Sequence, residues 1–187
     1  CSACGEEAGR FPGVRRCMKT NPENLAFIAL GSNQGDSRAL IARAIKRLQR
    51  LSAGPLLQSS LWETEPVDCP PGTPPFINAV VGLHLRPGER PGGLLAKLQA
   101  LEQEFGRPSA HGHHTPRPLD LDLITFGSML CISMELVLPH PRVHQRRFVL
   151  APLNQIAPEL VLPGQAKTVR ELLAGLAPGP AVKRIVQ

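Results

Sequence analysis

The segment RPLDLDLITF, Arg117–Phe126, has the pattern of a buried strand that carries two aspartates. Side chains at positions i and i+2 of a strand project from the same face, so Asp120 and Asp122 stand together, with Cα atoms roughly 6.5 Å apart. Two negative charges this close repel each other. The pair therefore requires either bulk water or a bound cation.

The two faces of this strand differ in character. One face is apolar throughout, whereas the acidic face becomes apolar within the same strand. A merely solvated face more often stays polar, so the pattern favours a functional role for the carboxylates, with a bulge or the end of the strand as the structural alternative. The apolar face comprises Leu119, Leu121 and Leu123, and the acidic face comprises Asp120, Asp122, Ile124 and Phe126.

The segments before this strand complete a recognisable order. Short apolar runs bounded by Gly and Pro predict strands, and apolar residues at helical spacing predict two helices. The resulting βαββαβ order predicts a ferredoxin-like α+β sandwich, with helices on one face of a mostly antiparallel sheet and the other face open. The predicted elements are strand 25–33, helix 37–51, strands 56–64 and 76–86, helix 91–105, and the aspartate strand.

Composition sets the broad class. The chain has 187 residues, of which 42% are hydrophobic, which suits a single domain, predicted over 25–187. Residues 1–24 are rich in Gly, Pro and charge and show no apolar period, so we predict a flexible extension there. Lys and Arg outnumber Asp and Glu by 21 to 15, giving a net charge of +6, which suits either an anionic partner or a plain solvated surface. No apolar run spans a bilayer, so we expect a soluble, cytoplasmic protein.

The five cysteines do not resemble a secreted disulfide framework, because their number is odd and their spacing irregular. We expect reduced thiols. The C-x-x-C pair near the start has the spacing of a zinc half-site, but no second pair of ligands follows it. The cysteines are Cys1, Cys4, Cys17, Cys69 and Cys131.

Basic residues cluster in the two segments that flank the aspartate strand. Paired carboxylates with clustered arginines suit phosphoryl transfer from a magnesium-bound nucleotide, because Mg²⁺ takes oxygen ligands and arginine neutralises phosphate charge. A transition metal held by the His-rich loop is the alternative. The first segment carries Arg107, His111, His113, His114 and Arg117, and the second carries His140, Arg142, His144, Arg146 and Arg147.

Six motifs occur together in one order from Leu25 onward. They are AFIALGSNQGD, LWETEPV, FINAVV, LEQEFGR, RPLDLDLI and LPHPRVHQRRFVLAPLNQIAPEL. In this combination the chain resembles 6-hydroxymethyl-7,8-dihydropterin pyrophosphokinase, a folate-pathway enzyme family. The resemblance implies the ferredoxin-like fold and transfer of pyrophosphate from ATP to the hydroxymethyl group of the pterin, with release of AMP.

The resemblance also implies roles for particular residues. Asp120 and Asp122 would bind two Mg²⁺ ions, and Arg107 and Arg117 would lie on loops that close over the substrates during catalysis. The implied pterin site is Thr64, Val67, Phe76, Asn78 and Phe148, in which the two phenylalanines stack and the amide reads the ring edge. The implied ATP site is Gln99, Glu102, Arg117, His140 and Arg146. The resemblance also places Glu102 near the pterin pocket, as a carboxylate that orients neighbouring polar groups.

One closing loop departs from the family pattern. Many members have Trp-Gly-Pro-Arg before the aspartate strand, whereas this chain has HHTPR, which places His114 where the Trp would stand. Closure of that loop is therefore expected to pack differently. The expected partners are small-molecule substrates, without nucleic acid or membrane, and we expect a monomer.

Two other functions suit the same fold. An RNA-binding module needs an aromatic platform on its sheet, and a chain with no Tyr, one Trp and six Phe shows no dense motif of that kind. A regulatory domain that binds a small molecule has no reason to pair Asp120 with Asp122. The pyrophosphokinase interpretation accounts for the aspartates, the arginines and the Phe and Asn residues together.

Overall fold

The computed structural model of the chain describes residues 24–66, 72–106 and 118–185. Within them the predicted βαββαβ order is confirmed, and further short elements follow it. The strands are β1 Leu25–Ser32, β2 Leu57–Gln58, β3 Trp62–Thr64, β4 Phe76–His84, β5 Asp120–Phe126, β6 Cys131–Ile132, β7 Val137–Leu138 and β8 Val182–Arg184. The α-helices are α1 Ser37–Leu51, α2 Pro91–Glu104, α3 Arg147–Ile156 and α4 Val169–Ala174, and a short 3-10 helix spans Val143–Gln145.

The main sheet has six strands in the order β5-β1-β4-β3-β8, with β2 also paired to β4, and β6 and β7 form a separate two-stranded sheet. Every pairing in the main sheet is antiparallel. This is the ferredoxin-like arrangement that the sequence predicts, with β8 added at one edge. The aspartate strand β5 forms the opposite edge.

Helices α1 and α2 cover one face of the sheet. Asp36 caps α1, because its carboxylate accepts a hydrogen bond from the Ala39 N–H at 3.1 Å. Helix α2 begins with Pro91, whose fixed φ suits the first turn of a helix. The first hydrophobic core lies between these helices and the sheet. Both helices bury a stripe of residues in it at helical spacing, namely Ile41, Ala44, Ile45 and Leu48 from α1 and Leu94, Leu98 and Leu101 from α2.

The other face of the sheet, which the sequence predicts to be open, is in fact partly covered by the C-terminal helices. Helix α3 packs on β4, and α4 packs against α3. Together with β1 and β5 they enclose a second core, which contains Phe27, Val80, Ile124, Val149, Leu150 and Leu153. On this face Gly31, Asp120 and Asp122 are only partly buried.

The predicted strand 56–64 is in fact two short strands separated by three residues. Ser59 explains the break. Its hydroxyl accepts a hydrogen bond from the Val80 N–H at 3.0 Å, and its own N–H donates to the Val80 carbonyl at 3.0 Å. A side chain thus replaces one backbone acceptor of the ladder.

The prediction that Phe126 shares the face of the aspartates is wrong. The pairing of β5 with β1 shifts between Phe27 and Ile28, so that Ile124 is an extra residue on β5. Such a bulge reverses the alternation beyond it. Ile124 consequently joins the second core on the aspartate side, whereas Phe126 points into the first core.

Some sequence predictions concern residues outside the described ranges. Of the predicted extension, only Asn24 is described, and its carbonyl accepts a hydrogen bond from the Leu85 N–H at 2.7 Å. The limits of the extension and of the domain stay predictions. In the described part of the chain, no helix has the length and apolar character that crossing a membrane requires.

Candidate functional site

Three residues from three neighbouring strands lie in one row across the sheet. Gly31 on β1 pairs with Asp120 on β5 at one side and with Asn78 on β4 at the other. Directly paired residues of an antiparallel sheet project from the same face, so Asp120 and Asn78 face the same side, roughly 10 Å apart across two strand spacings. We call Asp120, Gly31 and Asn78 the polar row.

Gly31 keeps the middle of the polar row open. It contributes no side chain, and a Cβ built there would stand 3.3 Å from Asn78 Oδ1. That separation is shorter than ordinary van der Waals contact, so a larger residue would displace the amide or the strand. The space above Gly31, between a carboxylate and an amide, is the centre of the candidate site.

Asn78 is held in place by Thr64 on the adjacent strand. The Asn78 side chain is buried, and its Nδ2 donates a hydrogen bond to Thr64 Oγ1 at 2.8 Å. Trp62 pairs directly with Asn78 from β3, and its indole Nε1 donates to Gln155 Oε1 at 3.3 Å. The amide therefore has a fixed orientation beside an anchored aromatic ring.

The second aspartate contacts a cation that precedes α3. The Arg146 Nη1 atom lies 3.5 Å from Asp122 Oδ2, and the side chains of these two residues are 28% and 35% exposed. The Arg146 guanidinium also lies 5.6 Å from the centre of the Phe148 ring. This arrangement brings together three of the residues that the sequence predicts, one from each of the metal, ATP and pterin sets.

His140 lies beside the same aspartate. Its backbone N–H donates to the Ile124 carbonyl on β5 at 2.9 Å, and its Nδ1 accepts from the Arg142 N–H at 3.3 Å. Burial lowers the pKa of His140 below its usual 6.5; Asp122 raises the pKa, while Arg146 and Arg142 lower it further. The imidazole is thus neutral near pH 7 and acts there as a hydrogen-bonding group.

Glu102 is a buried carboxylate at the margin of β5. The residue is 2% exposed, and its Oε1 accepts a hydrogen bond from the Leu121 N–H at 2.8 Å. Leu121 lies between the two aspartates in the chain. Glu102 therefore contacts the backbone of the strand that presents them.

The other predicted site residues are Gln99, Phe76, Arg107, Val67 and Arg117. Gln99 is exposed on α2, a helix that packs on the opposite face from the polar row. Phe76 begins β4, half-buried, and pairs with Thr64. Arg107, Val67 and Arg117 lie outside the described residues, so their predicted roles stay predictions.

The acidic pair matches the ligand preference of a hard divalent cation. Within residues 24–66, 72–106 and 118–185, no three His, Cys, Asp or Glu side chains form a group that holds an ion by themselves. Two carboxylates leave the other positions around an ion for phosphate oxygens and water. This is how Mg²⁺ is usually held beside a nucleotide.

The chain is similar to known proteins over the segment that carries most of this site. The family profile of 7,8-dihydro-6-hydroxymethylpterin-pyrophosphokinase matches residues 27–158 of the chain. The chain belongs to this pyrophosphokinase family. It is 39% identical over 141 residues to the 2-amino-4-hydroxy-6-hydroxymethyldihydropteridine pyrophosphokinase of Porphyromonas gingivalis, with 73% of this chain and 92% of the relative covered. The enzyme of that name from Bacillus subtilis is 36% identical over 138 residues, with 73% and 80% covered.

Solved structures of the pyrophosphokinase family share the fold. The chain superimposes on Plasmodium falciparum HPPK-DHPS with pteroate at a TM-score of 0.63 and 15% identity, over 81% of its own length. It spans 42% of that longer chain. At this identity the likeness supports the ferredoxin-like architecture alone.

Sequence reasoning missed two residues of the candidate site. Gly31 interrupts an otherwise apolar strand, and an isolated glycine in a strand signals close approach of other groups. Trp62 is the chain's one tryptophan, and only the pairing of β3 with β4 puts it beside Asn78. The isolated glycine could have been recognised from the sequence. The position of the tryptophan could not, because it depends on the register between β3 and β4.

Proposed function

We propose that this chain transfers the pyrophosphoryl group of ATP to 6-hydroxymethyl-7,8-dihydropterin, giving the pterin diphosphate and AMP in tetrahydrofolate biosynthesis. The observation that carries the proposal is the polar row, in which a metal-type carboxylate and a fixed amide face each other across Gly31. Membership of the pyrophosphokinase family and the names of its relatives support it.

The pterin is assigned to the amide end of the polar row. Asn78 is buried and oriented by Thr64, which suits an amide that reads the hydrogen-bonding edge of a flat ring. Phe76 and Phe148 supply aromatic faces for stacking. The predicted pterin set also includes Val67, which lies outside the described ranges.

The metal and ATP are assigned to the acidic end. Asp120 and Asp122 would hold two Mg²⁺ ions, which would offset the negative charge of the ATP phosphates and of the deprotonating pterin hydroxyl. Arg146 stands ready beside Asp122 to pair with a phosphate. The predicted ATP set also contains Gln99, Glu102, His140 and Arg117.

The chain's own groups have distinct parts in the reaction. Neutral His140 can hydrogen-bond to phosphate without adding a charge, while the Arg146 guanidinium offsets negative charge as it shifts toward the leaving AMP. Asp122 is placed to favour loss of the proton from the pterin hydroxyl. Arg107 and Arg117, from the loops outside the described residues, are proposed to close over the substrates and exclude water.

The test replaces each aspartate of the acidic pair with asparagine and measures AMP formation. Asp120→Asn and Asp122→Asn should each lower kcat about 100-fold or more, because the charge that holds the cation is lost. Asp36→Asn is the matched control, since this aspartate caps α1 and asparagine caps equally well. Undiminished turnover by Asp122→Asn would rule out its proposed role with the proton.

We further propose that the protein works in the cytoplasm on small molecules, as a monomer. The described part of the chain contains no membrane-crossing helix, which is consistent with this placement. Sedimentation of the purified full chain measures the oligomeric state directly. A dimer that forms as the protein concentration rises would contradict the proposed monomer.

A further inference from the structure

Glu102 is a buried acidic residue that contacts the backbone of β5. It lies on α2, is 2% exposed, and directs Oε1 to the Leu121 N–H at 2.8 Å. A carboxylate is costly to bury unless hydrogen bonds compensate. A purely structural position of this kind is normally filled by an apolar residue, so the buried charge calls for a reason.

The bonded N–H belongs to the strand that presents the acidic pair. Strand β5 is an edge strand, paired to β1 on one side only. The backbone groups on the outer side of an edge strand have no strand partner. Here Glu102 takes the Leu121 N–H, and the His140 N–H donates to the Ile124 carbonyl at 2.9 Å.

The position of Leu121 gives this bond its importance. It is the residue between Asp120 and Asp122, so its peptide plane helps to set the separation and direction of the two carboxylates. The two carboxylates repel each other, although Arg146 offsets part of the charge on Asp122, and an edge strand has no neighbouring strand on its outer side to resist a twist. A bond at the middle residue opposes that movement.

From this geometry we infer that Glu102 is a positioning residue for the divalent-cation site. It holds the Leu121 backbone so that Asp120 and Asp122 keep the separation that the cations need. It acts through the strand and does not contact the nucleotide. This inference rests on the proposed metal site, and it replaces the direct ATP contact that the family resemblance assigns to Glu102.

Two variants separate the hydrogen bond from the charge. Glu102→Gln keeps an oxygen that accepts from the Leu121 N–H, whereas Glu102→Ala removes the acceptor. The first readout is amide hydrogen exchange at Leu121, measured by NMR on the metal-free chain. We expect exchange at least about tenfold faster in Glu102→Ala and within about threefold of wild type in Glu102→Gln.

The second readout is Mn²⁺ binding, measured by calorimetry in the presence of α,β-methylene-ATP, with wild type and Asp122→Asn as references. We expect the Mn²⁺ affinity of Glu102→Ala to fall about tenfold and that of Glu102→Gln to stay within about threefold. Leu98→Val, which shortens a buried side chain on the same helix, should leave the affinity unchanged. An equal loss in Leu98→Val would show general loosening of α2 and overturn the inference.

A third measurement distinguishes positioning from direct contact. Binding of α,β-methylene-ATP in the presence of EDTA should be the same in wild type and in Glu102→Ala, because the nucleotide does not touch Glu102. Weaker metal-free nucleotide binding in Glu102→Ala would overturn the inference in favour of direct contact. If wild type and Asp122→Asn bind Mn²⁺ equally well, the proposed metal site is wrong. If Asp122→Asn binds Mn²⁺ more weakly than wild type but Glu102→Ala binds it normally, the metal site stands and only the inference about Glu102 is wrong.

Discussion

Arg146 and Asp122 form an ion pair, with 3.5 Å between Arg146 Nη1 and Asp122 Oδ2, at the acidic end of the polar row. The aspartate that is proposed to hold a cation therefore has a cationic neighbour within the chain itself. Both side chains keep partial exposure, so either can exchange its partner for a ligand. The guanidinium is thus placed to turn from carboxylate to phosphate when ATP and metal arrive.

The titration of His140 should report the charges of this ion pair. Burial lowers its pKa, Asp122 opposes that shift and Arg146 reinforces it. Asp122→Asn should therefore lower the pKa of His140 further, and Arg146→Gln should raise it. NMR titration of the His140 ring protons in metal-free protein measures both changes, and Arg50→Gln on the remote helix α1 is the control that should leave the pKa unmoved.

The lowered pKa of His140 also determines the direction in which its contribution to folding stability changes with pH. Between the folded and unfolded pKa values, the unfolded state binds more protons at this residue than the folded state. The contribution of neutral His140 to stability is therefore fully present above its unfolded pKa of about 6.5 and is lost as pH falls through the folded value. The measurement is the free energy of unfolding of wild type and of His140→Gln as the pH is lowered from about 6.5 through the folded pKa. If both proteins lost the same stability over this pH range, His140 would not be the source of the loss.

Substitution of Gly31 should act on the pterin without affecting ATP. In Gly31→Ala the new Cβ would stand 3.3 Å from Asn78 Oδ1, so the amide must shift from its position. We expect the KM for the pterin to rise about tenfold, equivalent to about 1.4 kcal/mol, with the KM for ATP nearly unchanged. Gly92→Ala on α2, where no heavy atom lies within 4 Å, is the matched control. A rise confined to the KM for ATP would contradict the assignment of the two ends of the row.

The hydroxyl of Thr64 should matter through the orientation of Asn78. Thr64→Val removes the acceptor of the 2.8 Å hydrogen bond with little change in shape, which leaves the buried amide without that partner. We expect pterin affinity to fall about tenfold in Thr64→Val and to be retained in Thr64→Ser, measured by calorimetry with the ATP analogue bound. Equal losses in the two variants would show that side-chain volume, and not the hydroxyl, sets the affinity.

Local patterns predicted most of the fold. Helical spacing of Ile41, Ile45 and Leu48 places α1, and alternation places the two aspartates on one face of β5. The two wrong predictions, a single strand over 56–64 and the direction of Phe126, have local structural causes that the sequence pattern does not reveal. The Ser59 hydroxyl interrupts a ladder, and an extra residue at Ile124 reverses the direction of Phe126.

The resemblance names residues of the candidate site and does not give their arrangement. The resemblance named Asp120, Asn78 and Arg146, but the row through Gly31 depends on how β1 pairs with both neighbours. Register of this kind is fixed by contacts between distant segments, which periodicity does not encode. The bond from Leu121 to Glu102 has the same origin, since it joins a helix to a strand edge.

The proposed pyrophosphoryl transfer is tested by identifying the adenine nucleotide that the chain produces. The purified full chain is mixed with ATP, Mg²⁺ and 6-hydroxymethyl-7,8-dihydropterin, and the products are separated by chromatography. We expect AMP, formed only when the pterin is present and in equal amount to the pterin diphosphate. Formation of ADP, or the absence of any pterin-dependent product, would contradict the proposed transfer.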